Sequence, residues 1–303
     1  MSDRITGNLV TLAGMMLWAT SFPVTERLLE TWHPLLLTPM RIGSAAAVLA
    51  VLVLATDGLT PFRGLPWRKI LVVGGIGLGI ANTFLILGLS YADPVTVAVI
   101  ATMVPLVSVI MGVLGGRERL TWPVALGIAL AIGGGVLVSV KPDAPGPGFR
   151  GGELLVVCSI VAWTWFSRVS VQHFAAIPDR TKAASTMFGG TLASGLVATI
   201  AVAAGLITPR WEISQDTLPL LAWMGPIAIS ISMVLWLRGS RLLGVTIAGI
   251  HQNMVPFYVI LLSLALGGGL ILSQLWGAIM VAAGAILAQQ TWLTRKSLET
   301  GVR

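Results

Sequence analysis

Long apolar runs alternate with short polar segments along the whole chain. A helix needs about 20 apolar residues to cross the roughly 30 Å hydrocarbon core of a bilayer. Ten runs have this character, and we predict that each forms a membrane-spanning helix. They cover residues 7–26, 34–55, 70–90, 94–114, 122–140, 152–172, 183–206, 218–237, 245–266 and 274–293. The pattern therefore predicts an all-α integral membrane protein with ten transmembrane helices.

The composition agrees with this interpretation. Charged residues make up 10% of the 303 residues and hydrophobic residues 55%, whereas a soluble domain carries roughly 25% charged residues. The chain has one cysteine, Cys158, which excludes a disulfide framework, a four-cysteine zinc site and an iron–sulfur cluster. The 35 glycines lie inside apolar runs, so they do not indicate disorder.

The positions of lysine and arginine predict the orientation in the membrane, because cytoplasmic loops are enriched in both. If the N-terminus is cytoplasmic, the inner segments hold fourteen of the nineteen basic residues and the outer segments hold four. The remaining one, Arg41, lies within the second helix. We therefore predict a multi-pass protein of the cell's inner (plasma) membrane with both termini in the cytoplasm. The formal charge of +7 reflects this topology, and no nucleic-acid partner is expected.

The two halves of the chain resemble each other. The segment GNLVTLAGMMLW at residues 7–18 resembles GELLVVCSIVAW at 152–163, and VTVA at 95–98 is followed 150 residues later by VTIA. We predict a first repeat over residues 1–143, a linker over 144–150 and a second repeat over 151–303, which act as one functional unit. Five helices is an odd number, so the second repeat must enter the membrane from the opposite side. Such inverted repeats are typical of alternating-access transporters.

Several motifs together resemble a known family. These are WATSFP at residues 18–23, Arg41 early in helix 2, YADPVTVAVIATMVPL at 91–106 with GRERLT at 116–121, and a second MVP at 254–256. The chain resembles the drug/metabolite transporter superfamily, and within it the ten-helix EamA family that includes the YddG-like amino-acid exporters. The resemblance implies a basket of ten helices around a central cavity lined by helices 1, 3, 4, 6, 8 and 9. One departure is that Glu118, which follows helix 4, has no acidic counterpart after helix 9.

Two prolines occupy corresponding positions in helices 4 and 9. Pro105 and Pro256 each remove a backbone donor and are expected to kink the helix. Paired interruptions of this kind indicate a substrate site near the bilayer midplane. The alternative is a bend that only lets the helices splay, and the two interpretations are compatible. Met103, which precedes Pro105, is included among the predicted substrate-binding residues.

The most polar cluster in any predicted span is in helix 9, at His251, Gln252 and Asn253. Polar side chains facing lipid are costly, so we expect them to face the cavity or another helix. His251 and Tyr258 share a helix face and are predicted to contact substrate. His251 has two interpretations. It titrates near neutral pH and so couples transport to protons, or it stays neutral and donates a hydrogen bond.

Tryptophans near the middle of helices 1 and 6 are the next candidates. Trp18 and Trp163 are related by the repeat, and their ring N–H groups need partners, which favours a position in the cavity over simple packing. Weaker candidates of the same kind are Asn82 in helix 3 and Ser232 with Trp236 in helix 8.

Arg41 lies roughly 10 Å deep by helix rise. The interpretation that we favour is that its side chain extends to the outer surface. The alternative is a cavity charge that recognises a substrate carboxylate.

Small residues predict where helices approach each other closely. Gly127, Ala131 and Gly135 form a stripe along helix 5, and Ala278 with Ala282 forms another along helix 10. Such stripes let two helices pack with little space between their backbones.

These features favour a secondary transporter over an enzyme or a channel. No catalytic constellation, metal-ligand spacing, cofactor motif or nucleotide-binding loop is apparent, and no repeated pore ring is present. The expected partners are the lipid bilayer and a small-molecule substrate. No span carries a mid-membrane carboxylate of the kind used to extrude cations, so a neutral or zwitterionic solute is favoured, amino acids foremost. Vitamins, nucleosides and drug cations remain alternatives, as do, less favoured, a polytopic membrane enzyme and a channel.

Overall fold

The computed structural model describes residues 3–115, 121–138 and 151–299, and these ranges contain helices and no strands. In chain order the helices are α1 (Asp3–Leu29), α2 (Pro34–Asp57), α3 (Trp67–Tyr91), α4 (Pro94–Ala101 and Val104–Leu114), α5 (Trp122–Val138), α6 (Gly152–His173), α7 (Asp179–Ala203), α8 (Thr217–Leu243), α9 (Val245–Gln252 and Val255–Ala265) and α10 (Leu272–Glu299). A single 3-10 turn, Thr60–Phe62, lies between α2 and α3. The predicted linker at 144–150 lies outside the described residues.

Seven of these helices are long and apolar enough to cross a membrane. They are α1, α2, α3, α6, α7, α8 and the Ile247–Ala265 part of α9. The two pieces of α4 meet at a bend of 42° and would be an eighth span if they cross together, whereas α5 and the Leu272–Leu287 part of α10 are apolar but shorter. The described part of the chain is therefore all-helical, with several helices suited to crossing a membrane, and the full count of ten spans stays a prediction.

Helices of the first half pack on helices of the second half. The pairs are α1 with α8, α2 with α7, α3 with α6 and α5 with α10. Each pair is antiparallel. In the α1–α8 pair, for example, Gly7 near the start of α1 lies against Leu243 at the end of α8, whereas Gly14 lies against Leu235.

Helices α5 and α10 approach each other closely through glycines. A Cβ atom built on Gly134 would lie 2.7 Å from the carbonyl oxygen of Gly277, and one on Gly284 would lie 2.6 Å from that of Gly127. Any side chain at these positions would clash with the facing backbone. The predicted stripe is therefore correct at Gly127 but wrong at Gly135, which instead faces the methyl group of Met103.

Helices of both halves depart from regular α-geometry at corresponding places. In α3 the segment Val73–Gly79 is π-helical, and in α8 the segment Trp223–Ile229 is π-helical. The two segments are 150 residues apart, which is the spacing that relates the two VT[VI]A motifs. Single π-turns inside helices are rare and occur mostly at functional sites. In this protein both π-segments are followed by residues that border the central cavity described below.

The connection between α1 and α2 contains a titratable helix cap. The Nδ1 atom of His33 accepts a hydrogen bond from the backbone N–H of Leu35 at 3.2 Å, and the carbonyl oxygen of Arg210 accepts one from the backbone N–H of His33 at 2.7 Å. Burial and the nearby charge of Arg210 lower the pKa of His33. An imidazole that accepts through Nδ1 caps the helix only in its unprotonated form.

This cap predicts a pH dependence of stability. Because the pKa of His33 is lower in the folded chain, the unfolded chain takes up the proton first. The free energy of unfolding should therefore fall as the pH drops below about 6.5, the ordinary histidine pKa. The His33→Asn variant keeps a capping side chain that does not titrate. Between pH 8 and pH 5 it should lose about 1 kcal/mol less stability than the wild type, measured by thermal unfolding in detergent. An identical loss in both proteins would contradict the assignment.

Candidate functional site

Two small adjoining cavities lie between the halves of the protein. Four residues border both cavities: Trp18, Asn82, Trp163 and Gln252. The lining comes from α1, α3, α4, α6, α8 and α9, which are the helices that the family resemblance implies, and Met187 of α7 is added. Among the described lining residues none carries a charge.

Tryptophans form one wall of the site. The rings of Trp163 and Trp236 lie with centroids 5.8 Å apart and an interplanar angle of 37°. The Nε1–H of Trp236 donates to the Ser167 hydroxyl at 3.2 Å, so this ring is fixed. Trp18 packs edge-on against Phe22, with ring centroids 5.0 Å apart. The structure thus brings Trp18 and Trp163, which correspond in the predicted repeat, to one cavity.

Two polar atoms at the cavity have no partner within the part of the chain that the structure describes. They are the Nε1–H donor of Trp163 and the Oε1 acceptor of Gln252. Leaving a buried polar atom without a hydrogen bond costs about 1–3 kcal/mol. A solute that offers one acceptor and one donor would offset this cost. By contrast, Asn82 donates to the carbonyl of Leu78 at 3.0 Å.

The interruptions in α4 and α9 lie beside the same cavity. In α4 the helix stops after Ala101 and resumes at Val104, and both residues line the cavity. In α9 the first piece ends at Gln252 and the second begins at Val255. These breaks place helix ends, with their unpaired backbone groups, close to the space where a solute would bind.

The prolines sit at the restarts of the two helices. Pro105 and Pro256 are each the second residue of the piece that follows the break. A helix start tolerates proline because the missing N–H has no intrahelical partner there. Each proline therefore begins a new helical piece, and the interruption precedes it in the chain.

Three other predicted site residues lie elsewhere. The Nε2 atom of His251 is 2.9 Å from the Oδ1 atom of Asn8 near the start of α1. Tyr258 borders a separate, apolar groove of about 880 Å³ formed by α1, α8 and α9. Met103 packs against the hydrophobic core and does not border either cavity. Substrate contact by these three residues stays a prediction.

Ser232 borders the second cavity, and its hydroxyl donates to the carbonyl of Ile229 at 3.2 Å. The remaining lining is mostly apolar and includes Leu85, Val104, Ile160 and Met233. No sequence pattern distinguishes these residues, because an apolar side chain that faces a cavity is the same residue type as one that faces lipid.

Arg41 is buried, with 1% of its surface exposed. Its Nη2 atom donates to the Ser21 hydroxyl at 3.2 Å, and its Nε and Nη1 atoms have no partner among the described residues. The expectation that this side chain extends to the outer surface is therefore wrong. The reason is local, because α1 is interrupted at Thr20 and this break presents the Ser21 hydroxyl to the guanidinium. Arg41 does not border the central cavities.

A buried cation with so few partners predicts an unusual mutational effect. Desolvation of a buried charge costs several kcal/mol, and an apolar side chain of similar volume does not incur this cost. We expect Arg41→Met to raise the midpoint of thermal unfolding. The matched variant is Arg168→Met, because the Nη1 atom of Arg168 donates to the Ser108 carbonyl at 2.8 Å and to its hydroxyl at 3.2 Å. Arg168→Met should lower the midpoint, and a loss of the same size in both variants would contradict the interpretation.

The class of protein follows from comparison with known families. Residues 5–140 match the EamA-like transporter family. Over residues 5–140 the chain is therefore similar to the EamA-like transporters of the drug/metabolite transporter superfamily, which confirms the resemblance seen in the motifs. The matched family is a family of transporters. Membership of the YddG-like subgroup stays a prediction.

Individual relatives agree with this class. The chain is 27% identical over 261 residues to "Uncharacterized transporter YyaM" of Bacillus subtilis (strain 168), and the match covers 82% of each chain. It is 24% identical over 162 residues to an "Uncharacterized transporter" of Archaeoglobus fulgidus, covering 53% of this chain and 56% of the relative. A crystal structure of another protein has the same fold, with a TM-score of 0.67 and 24% identity over 97% of this chain and 99% of that one. These likenesses support a membrane transporter.

Proposed function

We propose that the protein is a secondary carrier that moves a small metabolite, an amino acid foremost, across the membrane by alternating access. The observation that carries the proposal is the pair of interrupted helices, α4 and α9, whose breaks border one cavity between the halves. Paired discontinuous helices at a repeat interface are the usual surroundings of a transporter's substrate site.

The arrangement of helices supports alternating access by inverted repeats. Each helix of the first half has a counterpart five helices later in the second half. If every helix is replaced by its counterpart, the α1–α8 pair becomes the α6–α3 pair, and the α2–α7 and α5–α10 pairs stay the same. The antiparallel direction of each pair is the direction that repeats of opposite orientation require. In such an assembly one half can adopt the conformation of the other, which closes the cavity towards one side and opens it towards the other.

The chemistry of the cavity supports the substrate class. An aromatic and aliphatic wall suits an apolar side chain, while the Trp163 N–H and the Gln252 Oε1 atom suit a carboxylate and an ammonium group respectively. A zwitterion offers both the acceptor and the donor that these two atoms need, whereas an organic cation without an acceptor leaves the Trp163 N–H without a partner. Vitamins and nucleosides satisfy the same donor and acceptor and are the alternatives. Drug cations fit less well.

The proposed location is the cell's inner membrane, with both termini in the cytoplasm. It rests on the distribution of fourteen basic residues on one side and four on the other. A reporter fused to the C-terminus that is active only in the cytoplasm would test this orientation.

Counterflow in liposomes tests the transport proposal. Purified protein is reconstituted into liposomes preloaded with unlabelled phenylalanine, methionine, threonine or leucine, and uptake of the labelled amino acid is followed. A carrier gives saturable uptake that the preload accelerates, whereas a channel gives no acceleration. An imposed pH gradient that changes the rate would indicate proton coupling. Folded protein without counterflow of any amino acid would overturn the amino-acid assignment, and the vitamins and nucleosides would be tested next.

A further inference from the structure

A groove on the outside of the bundle combines a long apolar trough with a basic end. It lies between α3 and α6 and has a volume of about 810 Å³. The trough is lined by Val72, Val73, Trp165 and Val169. Because α3 and α6 are antiparallel, the start of α3 lies beside the end of α6. The groove therefore has two chemically different ends.

Arg68 and Lys69 of α3 and His173 of α6 line this end with their apolar atoms, because the surface inside the groove is entirely apolar. Their charged groups therefore lie at the rim of the groove, and we call this rim the basic end. All three side chains are exposed. Within residues 3–115, 121–138 and 151–299, none of them forms an ion pair or a side-chain hydrogen bond. No acidic residue lines the groove in the same ranges. The basic end is thus a concentration of positive charge without a protein counter-ion.

The position of Arg68 and Lys69 at the start of α3 further favours the binding of an anion. Arg68 and Lys69 are the second and third residues of the helix, and no side chain caps its start at Pro66. The start of a helix is the positive end of its dipole, where cations are unfavourable and anions favourable. An anionic group placed between the two side chains would offset both the dipole and their mutual repulsion.

We infer that this groove binds an anionic glycerophospholipid. The phosphate contacts Arg68, Lys69 and His173, and an acyl chain lies along the trough beside Val169. Only an amphiphile matches both ends, because a free anion leaves the trough uncovered and an uncharged lipid leaves the cations without a counter-ion. Basic pockets between transmembrane helices on the cytoplasmic side bind such headgroups, and the Lys/Arg distribution places this end of the groove on that side.

Tryptophans mark the depth of the groove in the bilayer. Trp67 at the start of α3 is 37% exposed and Trp165 in the trough is 36% exposed. Exposed tryptophans favour the headgroup region of a membrane. Trp67, next to Arg68 and Lys69, therefore places the basic end at the level of the lipid phosphates. Trp165 precedes His173 by eight residues, so it lies deeper, beside an acyl chain that extends towards the bilayer centre.

A second outer groove of the same protein provides a comparison for the groove between α3 and α6. The groove that Tyr258 borders, between α1, α8 and α9, has a similar volume of about 880 Å³. Its described lining residues include Met16, Leu17 and Leu261 and no charged side chain. It should accept acyl chains without preference for a headgroup. The difference between the two grooves is the charge at one end.

Lipid retention by the full-length protein tests this inference. The protein is purified in a mild detergent and mixed with equal amounts of phosphatidylglycerol and phosphatidylcholine that have identical acyl chains. The retained lipids are then counted by native mass spectrometry. We expect the wild type to retain phosphatidylglycerol preferentially. The Arg68→Gln/Lys69→Gln variant should lose this preference, by about fivefold for each basic side chain removed.

The control variant is Arg4→Gln/Arg238→Gln. It removes the same charge from exposed residues predicted on the same side of the membrane, outside the groove, and it should keep the preference. A second variant, Val169→Phe, fills the trough and should lower retention of phosphatidylglycerol without changing the charge.

Three results would overturn the inference. The wild type could retain both lipids equally, the control variant could lose as much preference as the groove variant, or millimolar inorganic phosphate could displace phosphatidylglycerol. The last result would indicate a site for a free anion and not for a lipid. The experiment is independent of transport, so a failed counterflow assay leaves its outcome unaffected.

Discussion

Counterflow by the Trp163→Ala and Gln252→Ala variants is expected to fall about tenfold or more, whereas the Tyr258→Ala variant should transport at close to the wild-type rate. Trp163 and Gln252 border both central cavities, and each presents a buried polar atom without a protein partner. Removing a hydrogen-bond partner from a buried solute costs about 1–3 kcal/mol, and loss of the Trp163 ring removes apolar contact as well. Tyr258 lies in the outer groove of α1, α8 and α9.

Conservative variants distinguish the effect of losing a hydrogen bond on transport from the effect of changing the shape of the cavity. Trp163→Phe keeps an aromatic ring without the N–H donor, and Gln252→Leu keeps similar volume without the amide. If the polar atoms bind the solute, both variants should raise the substrate concentration needed for half-maximal counterflow. Their thermal unfolding should stay close to that of the wild type or improve, because each variant removes an unpartnered buried group. Equal transport by the Trp163, Gln252 and Tyr258 variants would show that the central cavity is not the substrate site.

Adding one methyl group to Gly134 is expected to lower the midpoint of thermal unfolding by about 5 °C. The Cβ atom of alanine would lie 2.7 Å from the Gly277 carbonyl oxygen, so α5 and α10 would have to separate. The matched variant is Gly133→Ala, whose Cβ atom would meet only the terminal methyl group of Met280, at 3.2 Å. That flexible side chain can move aside. Both substitutions change the helix propensity equally, so the difference between the two midpoints measures the clash.

Size-exclusion chromatography before each melt ensures that only monodisperse protein is compared. Gly277→Ala should behave like Gly134→Ala, because its Cβ atom would lie 2.6 Å from the Gly134 carbonyl oxygen. Equal midpoints for the Gly133 and Gly134 variants would show that the two helices do not pack as closely as described.

Sequence reasoning located cavity residues best where a residue type is stable in only a few environments within a membrane helix. Trp18 and Trp163 were predicted to face the cavity because a ring N–H in mid-span needs a partner, and both border it. The helices themselves followed from the apolar runs, within a few residues at most ends. Confirmation of substrate contact awaits the transport assays above.

Other features depended on contacts between residues far apart in the chain. Helical spacing places His251 and Tyr258 on one face, but it does not say which neighbour that face meets, and the structure sets His251 against Asn8. Arg41 was misjudged because its partner, Ser21, becomes available only through the interruption of α1. In each case the deciding contact joins different helices, which local sequence patterns do not encode.

The glycine contact of α5 and α10 joins the two predicted repeats to each other. Gly127 faces Gly284 and Gly134 faces Gly277, and positions 127 and 277 correspond in the predicted repeat, as do 134 and 284. A contact in which each copy presents the same surface to the other is isologous, like the interface of a two-fold homodimer. A substitution by a larger residue in one half would therefore clash with the backbone of the other half. Sequence change at this contact in one half is thus constrained by the other half.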